Sequence, residues 1–126
     1  MERVRKRIDA DHGALGWWLI ENRADGAFQG VAALLPMPDG EDVELAYRLA
    51  RASWGRGIAT EAAAALVERA FTGAGLPRLV AVTFPENVAS QHVLEKAGFR
   101  YDGMTDYKEF RVAHFTITAE MWRARR

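Results

Sequence analysis

The 126 residues carry 17 basic and 17 acidic side chains, so the formal net charge is zero and nothing points to nucleic acid or an anionic membrane. There is no cysteine, which excludes a disulfide framework and a thiol nucleophile. That length suits one domain; the longest apolar run, VAALLPM, is far too short to span a bilayer, and the basic start MERVRKRIDADHG has no apolar signal-peptide core. A soluble, cytoplasmic protein is expected.

Met1 to Ile8 is basic and short, and reads as a helix end or a frayed terminus. Ala14 to Asn22 (ALGWWLIEN) has strand composition. RADG follows as a turn with Asp25-Gly26 at the hairpin tip, and AFQGVAALL is the returning strand. After the loop PMPDGED, VELAYRLA alternates cleanly: Val43, Leu45, Tyr47 and Leu49 on one face, Glu44, Ala46 and Arg48 on the other. Ala63, Leu66, Val67, Ala70 and Phe71 then recur at helical spacing, and TGAGLP ends that helix with two glycines and Pro77. Arg78 to Phe84 is a buried-type strand. PENVASQHVLEKAGF predicts a short helix with Asn87 as N-cap and Gly98 past its end. The remainder suggests two strands turning around Asp106 to Glu109, then a solvated basic tail, RARR. The order β-β-β-α-β-α-β-β predicts a single mixed α/β (α+β) domain over 1–126, with a strand–helix–strand crossover at its centre.

Gly55-Arg56-Gly57, between the alternating strand and the alanine-rich helix, admits two readings. One is a tight strand-to-helix turn, with Thr60 or Glu61 helping the helix start. The other is an anion site, in which first-turn N–H groups and the helix dipole converge on a phosphate and Arg56 adds charge. The spacing is not that of a Walker P-loop. Nor is it the dinucleotide fingerprint, since Thr60 stands where the third glycine belongs.

The wider segment ELAYRLARASWGRGIATEA resembles the acyl-CoA motif of the GNAT (GCN5-related) N-acetyltransferases, in particular the branch acting on ribosomal-protein N-termini and related substrates. That family's pyrophosphate loop reads Gln/Arg-x-x-Gly-x-Gly/Ala. Trp54-Gly55-Arg56-Gly57-Ile58-Ala59 is similar to it, with Trp54 in place of the leading residue. NVASQHVLEKAGF resembles the family's Asn-x-x-Ser…Glu-Lys-x-Gly-Phe segment at Asn87, Ser90, Glu95, Lys96, Gly98 and Phe99. The resemblance runs from about Gly16 to the C-terminus and implies a mostly antiparallel GNAT-like sheet around a central β-α-β acyl-CoA-binding unit.

It further implies acetyl transfer from acetyl-CoA to a primary amine, on a protein N-terminus or a small molecule, by direct attack on the thioester. Backbone N–H groups from Gly55 to Thr60 (Gly55, Arg56, Gly57, Ile58, Ala59, Thr60) would hold the pyrophosphate. The strand edge from Tyr47 to Leu49 would pair with the pantetheine amides, and one N–H would polarise the thioester carbonyl. Attack requires the neutral amine, so a base is useful. Glu44, in a Glu-x-x-Tyr pattern with Tyr47, is the candidate; the alternative is a carboxylate on a polar strand face. The family's usual tyrosine acid corresponds to Leu94, a departure that leaves Ser90, one turn earlier, to hydrogen-bond the sulfur or merely to sit in the first helical turn. Asn87 is a cap alone, or a cap that also touches the pantetheine arm. Lys96 reaches a CoA phosphate or is a solvated helix lysine.

His12, His92 and His114 are scattered, so no metal site is expected, and His92 reads as exposed. Trp17 and Trp18 are candidates to line an acceptor pocket, but they point to opposite faces of their strand, which places at least one in the core. Tyr107 reads as a loop residue, for which the family's layout implies acceptor contacts. The family normally has a further strand and helices before ALGWWLIEN, whereas MERVRKRIDADHG resembles only the tail of the second helix. Uncovered strand surface then leads to the expectation of a homodimer. The rival reading is a non-catalytic acyl-CoA-binding or interaction module with the same fold.

Overall fold

The computed structural model describes residues 2–6, 15–38 and 41–125. Among these, β1 (Glu2–Lys6), β2 (Gly16–Asn22), β3 (Phe28–Pro36), β4 (Val43–Leu49), β5 (Arg78–Thr83), β6 (Arg100–Tyr107) and β7 (Phe110–Thr118) form one sheet in the order β1-β2-β3-β4-β5-β7-β6. Every neighbouring pair is antiparallel except β4 with β5. The helices are α1 (Ile58–Thr72), α2 (Val88–Lys96) and α3 (Ala119–Ala124), with a single 3-10 turn at Arg51–Ser53.

The expected central order is present, with two corrections at its ends. Glu2–Lys6, inside the segment read as a helix end or frayed terminus, pairs antiparallel with β2 from Glu2↔Asn22 to Lys6↔Trp18; Met1, Ile8 and His12 lie outside the described residues. ERVRK shows no apolar alternation because its strand character comes from the backbone edge that β2 offers. Ala119–Trp122, read as the end of the last strand, instead begins α3, capped by the Thr118 hydroxyl accepting from the Met121 N–H at 3.0 Å, while Arg123–Arg125 of the tail are exposed as expected. Arg125, just past α3, donates to the carbonyl of Lys96 at 3.2 Å, at the negative end of α2. Tyr107, expected in a loop, is the last residue of β6. Asp39 and Gly40 of the second loop lie outside the described residues.

Residues paired across neighbouring strands share a face of the sheet, so the register sorts them. Trp18, Ile20, Ala32, Leu34, Leu45, Leu79, Ala81, Phe115 and Ile117 lie on one face, and all belong to a core shared with Ile58, Ala62, Ala63, Leu66, Val67 and Ala70 of α1 and Leu94 of α2. Met121 and Trp122 of α3 pack on the same core. Trp17, Leu19, Val31, Leu35, Glu44, Ala46, Arg48, Val80, Val82, His114 and Thr116 occupy the opposite face. Trp18 is buried and Trp17 half-buried, as their opposite orientation requires.

β4 pairs with β3 along its whole length, from Val43↔Pro36 to Leu49↔Gly30, whereas β4 and β5 share the single register position Glu44↔Val80. An ion pair closes the gap just before it: Arg78 Nε, at the start of β5, donates to Asp42 Oδ1 at 2.9 Å, with a second bond between Nη2 and Oδ2. Beyond Val80 the strands part, and their facing edges open towards the C-terminal ends.

The Arg78 hydrogen bonds hold the Asp42 carboxyl below its usual 3.8, against a smaller upward push from burial. A depressed folded-state pKa stabilises above the unfolded value and loses that contribution as pH falls through the folded one. Both partners are partly exposed, so Asp42→Asn is expected to cost no more than about 1 kcal/mol at neutral pH and nothing well below the carboxylate range, as checked by urea unfolding at the two pH values.

Candidate active site

The gap between β4 and β5 is a cleft of about 820 Å³. It is lined by the facing strand edges, by Trp54 and Gly55 of the turn after β4, by Asn87 and Ser90 at the start of α2, and by Tyr107, Lys108 and Phe110 of the β6–β7 hairpin. Because strand side chains alternate, its lining differs on the two sides of the sheet. Tyr47 and Ser90 belong to the helix-covered side, and Glu44 and Tyr107 to the other.

At the open end of β4, Gly55 has φ 73° and Gly57 φ 79°, a left-handed backbone in which glycine carries no Cβ penalty. A Cβ at either position would meet nothing within 4 Å, so packing within the protein does not require glycine there, and the outer side of the turn is clear for an approaching group. Gly57 is the N-cap of α1 and supplies no capping side chain, leaving the first-turn amides of Ile58, Ala59 and Thr60 without a side-chain cap. Backbone N–H groups on a clear surface at a helix start suit a phosphate, so the turn fits a pyrophosphate on its own geometry.

The expected cofactor residues divide. Leu49, Trp54, Gly55, Ala59 and Asn87 line the cleft. The Trp54 indole donates to the Leu49 carbonyl at 3.1 Å, under the Arg51 guanidinium 5.1 Å from its centroid. The Ile58 side chain is buried in the core, so its backbone alone faces the turn. Arg56 and Gly57 are exposed and Thr60 half-buried. Lys96 is not brought to the cleft: it lies at the far end of α2 beside a separate cavity of about 260 Å³ with Glu68, Trp122 and Arg125.

Ser90 is fixed twice. Its N–H donates to the Asn87 Oδ1 cap at 3.0 Å, and its Oγ lies 3.0 Å from the Tyr47 hydroxyl across the cleft. Burial raises the Tyr47 pKa, with the Ser90 hydrogen bond pulling the other way. Leu94, the position matching the family's tyrosine, is 2% exposed and belongs to the core.

Glu44 is 9% exposed and accepts from the Tyr107 hydroxyl at 3.0 Å. Desolvation raises its pKa above 4.5, against the Tyr107 hydrogen bond and the charge of Lys108, which lower it. The Tyr107 pKa is raised by burial and by the Glu44 carboxylate, so it stays a protonated donor. Lys108, in a left-handed conformation at φ 57°, carries its ammonium 5.5 Å from the Tyr107 ring. Phe84 and Phe110 meet edge-on at 5.4 Å on the cleft wall. The pairing of Glu44 with Tyr107 joins residues 63 apart, so no local spacing announces it.

A family model for an acetyltransferase (GNAT) domain matches residues 1–100. The Bacillus subtilis protein YkkB, itself uncharacterized, is 34% identical over 86 residues, 67% of this chain and 50% of that protein. The Aspergillus fumigatus FsC-acetyl coenzyme A-N(2)-transacetylase is 30% identical across 79% of this chain and 49% of its own. The chain thus spans half or less of the length of these curated relatives. An acetyltransferase structure from Agrobacterium tumefaciens str. C58 superposes with a TM-score of 0.74 at 29% identity, covering 82% of this chain and 60% of that one. Two structures share the fold at 18% identity. One is the aminoglycoside acetyltransferase AAC(6')-Ib in complex with coenzyme A and kanamycin, with TM-score 0.77 and coverage of 89% and 71%. The other is a ribosomal-protein-S5-alanine acetyltransferase from Vibrio fischeri, with TM-score 0.76 and coverage of 88% and 65%.

Removing the Tyr107 hydroxyl takes away a hydrogen bond that favours the ionised form of Glu44. Tyr107→Phe is therefore expected to move the already raised Glu44 titration to still higher pH, read by NMR of the side-chain carboxyl; an unchanged or lower midpoint would contradict the pairing.

Proposed function

The chain belongs to the GNAT acetyltransferase family, and from that premise we propose that it transfers an acetyl group from acetyl-CoA to a primary amine by direct attack on the thioester. The observation carrying this reading is the parting of β4 and β5 beside the open glycine turn. One strand edge and one set of helix-start amides lead into the same cleft. A non-catalytic acyl-CoA-binding module would need no buried carboxylate on the far wall, and Glu44 is there.

Backbone amides from Gly55 to Thr60 would hold the pyrophosphate, with Arg56 adding charge at the rim. The free edge from Tyr47 to Leu49 offers hydrogen bonds to the pantetheine amides, and Asn87 extends the same wall. When bound, acetyl-CoA supplies the activated acyl group. Glu44 takes a proton from the acceptor ammonium, held in place by the Tyr107 hydroxyl. Ser90, on the other side of the cleft, donates a hydrogen bond to the departing sulfur. The acceptor is a protein N-terminus or a small-molecule amine, the range spanned by the aminoglycoside acetyltransferase and the ribosomal-protein-S5-alanine acetyltransferase that share the fold.

The setting proposed is cytoplasmic, the unit a single domain over 1–126, and the assembly a homodimer. Half-buried Trp17, Leu19, Val31 and Leu35, on the face away from the helices, support the dimer. Light scattering is expected to give twice the chain mass, and a monomer at micromolar concentration would remove that part of the reading.

Gly57→Asp puts a negative charge into the phosphate cradle at a left-handed position, φ 79°, where the new side chain meets no clash and aspartate is among the few residues that adopt such a backbone at modest strain. It is expected to keep the fold and weaken acetyl-CoA binding by more than about tenfold in calorimetry. Glu44→Gln is expected to leave that binding intact and lower kcat by about 10²–10⁴-fold in an assay of free CoA release with amine acceptors. Full turnover by Glu44→Gln would remove the base assignment.

A further inference from the structure

Resting on the acetyl-transfer reading, we propose that Tyr47 is the positioning residue for Ser90: it donates its phenolic hydrogen to Ser90 Oγ, so that the serine proton is turned into the cleft towards the thioester sulfur.

The two hydroxyls are 3.0 Å apart, half-buried, and brought together from residues 43 apart in the chain. A serine in the body of a helix commonly bonds back to the carbonyl four residues earlier, which here is Glu86, outside α2. Ser90 is instead bonded across the cleft while its backbone is held by the Asn87 cap, so the position of its Oγ is set from two elements. Leu94, buried in the core one turn later, offers no donor.

A pair of hydroxyls has two protons, one spent between them and one left over. Which oxygen keeps the free proton follows from relative acidity. The phenol, with a reference pKa of about 10, is a far stronger acid than an aliphatic alcohol, and the serine oxygen is the better acceptor. Burial outweighs the downward pull that a Ser90 bond to the phenolate would exert, so the Tyr47 phenol stays protonated and able to donate. Tyr47 therefore donates, and Ser90 retains the proton available to a ligand. Accepting that bond also polarises the Ser90 O–H and strengthens it as a donor.

The chemistry balances without a proton leaving the pair. The neutral amine nitrogen forms the C–N bond, the C–S bond breaks and sulfur keeps the electron pair; of the two protons an ammonium acceptor loses, one passes through Glu44 to solvent before attack and the other is taken by Glu44 as the amide forms. A thiol with a reference pKa of about 8.5 gives a thiolate that donor hydrogen bonds can carry until solvent protonates it. Tyr47 thus acts on the leaving group through Ser90, on the face of the sheet opposite the base.

The test compares CoA with desulfo-CoA by calorimetry from neutral to mildly alkaline pH, on the full chain and on Tyr47→Phe, Ser90→Ala and the double variant. In the unsubstituted chain the preference for CoA over desulfo-CoA is expected to grow as the thiol ionises, reaching about tenfold or more. Each single substitution should flatten that rise by a similar factor, and the double should do no more than either, while desulfo-CoA affinity stays constant and reports an intact fold. A wild-type pH dependence in Tyr47→Phe would overturn the assignment. So would losses that add independently, or a loss in Tyr47→Phe but none in Ser90→Ala. Failure of the unsubstituted, folded chain to bind either nucleotide would overturn the acetyl-transfer reading and this assignment with it.

Discussion

Parallel neighbours in a sheet normally exchange hydrogen bonds along their shared length, and β4 and β5 do so at Glu44↔Val80 alone. Every feature of the site depends on that. Beyond the contact, two strand edges carry N–H and C=O groups that face a cleft rather than each other. In an ordinary sheet this would be a defect; at the centre of this one it suits a molecule with amides of its own, the pantetheine arm of the proposed reaction. The Asp42–Arg78 ion pair closes the narrow end. At the wide end the chain turns through two left-handed glycines into α1, presenting helix-start amides where the strand edge stops.

The splay also separates the chemistry by face. Side chains alternate along β4, so Glu44 and Tyr47 fall on opposite sides of the sheet although three residues apart. Each is engaged by a hydroxyl from a distant segment, Glu44 by Tyr107 and Tyr47 by Ser90. In the proposed reaction this lets Glu44 serve the acceptor amine from one side and Ser90 the departing sulfur from the other. It has a thermodynamic consequence. The raised pKa of Glu44 means that its contribution to folding is fully present below the unfolded value and lost as pH rises through the folded one, so at neutral pH the buried carboxylate works against stability. A group kept on those terms fits function better than scaffolding.

Much of this was legible in the sequence because its causes are local. Alternation in VELAYRLA marked β4, helical spacing marked α1, and Asn87 before Val88 marked the start of α2. Gly55 and Gly57 raised the question of an anion before any coordinates did. What escaped the sequence is non-local. β1 is a strand because β2 offers it an edge, and ERVRK carries no pattern of its own. α3 is six residues long, too short for a readable apolar stripe. The two side-chain hydrogen bonds join residues 43 and 63 apart, and the motif that names Lys96 does not tell that it lies away from the cleft.

The central claim is that the splayed pair and the glycine turn are one binding surface, and amide NMR during an acetyl-CoA titration tests it most directly. The account requires the largest shift changes along Leu45–Leu49, Gly55–Thr60 and Ala81–Thr83 and at Ser90, with β1 and the distal half of α1 nearly still. A folded chain whose amides do not move, or whose changes gather around Lys96 and Trp122 instead, would contradict it.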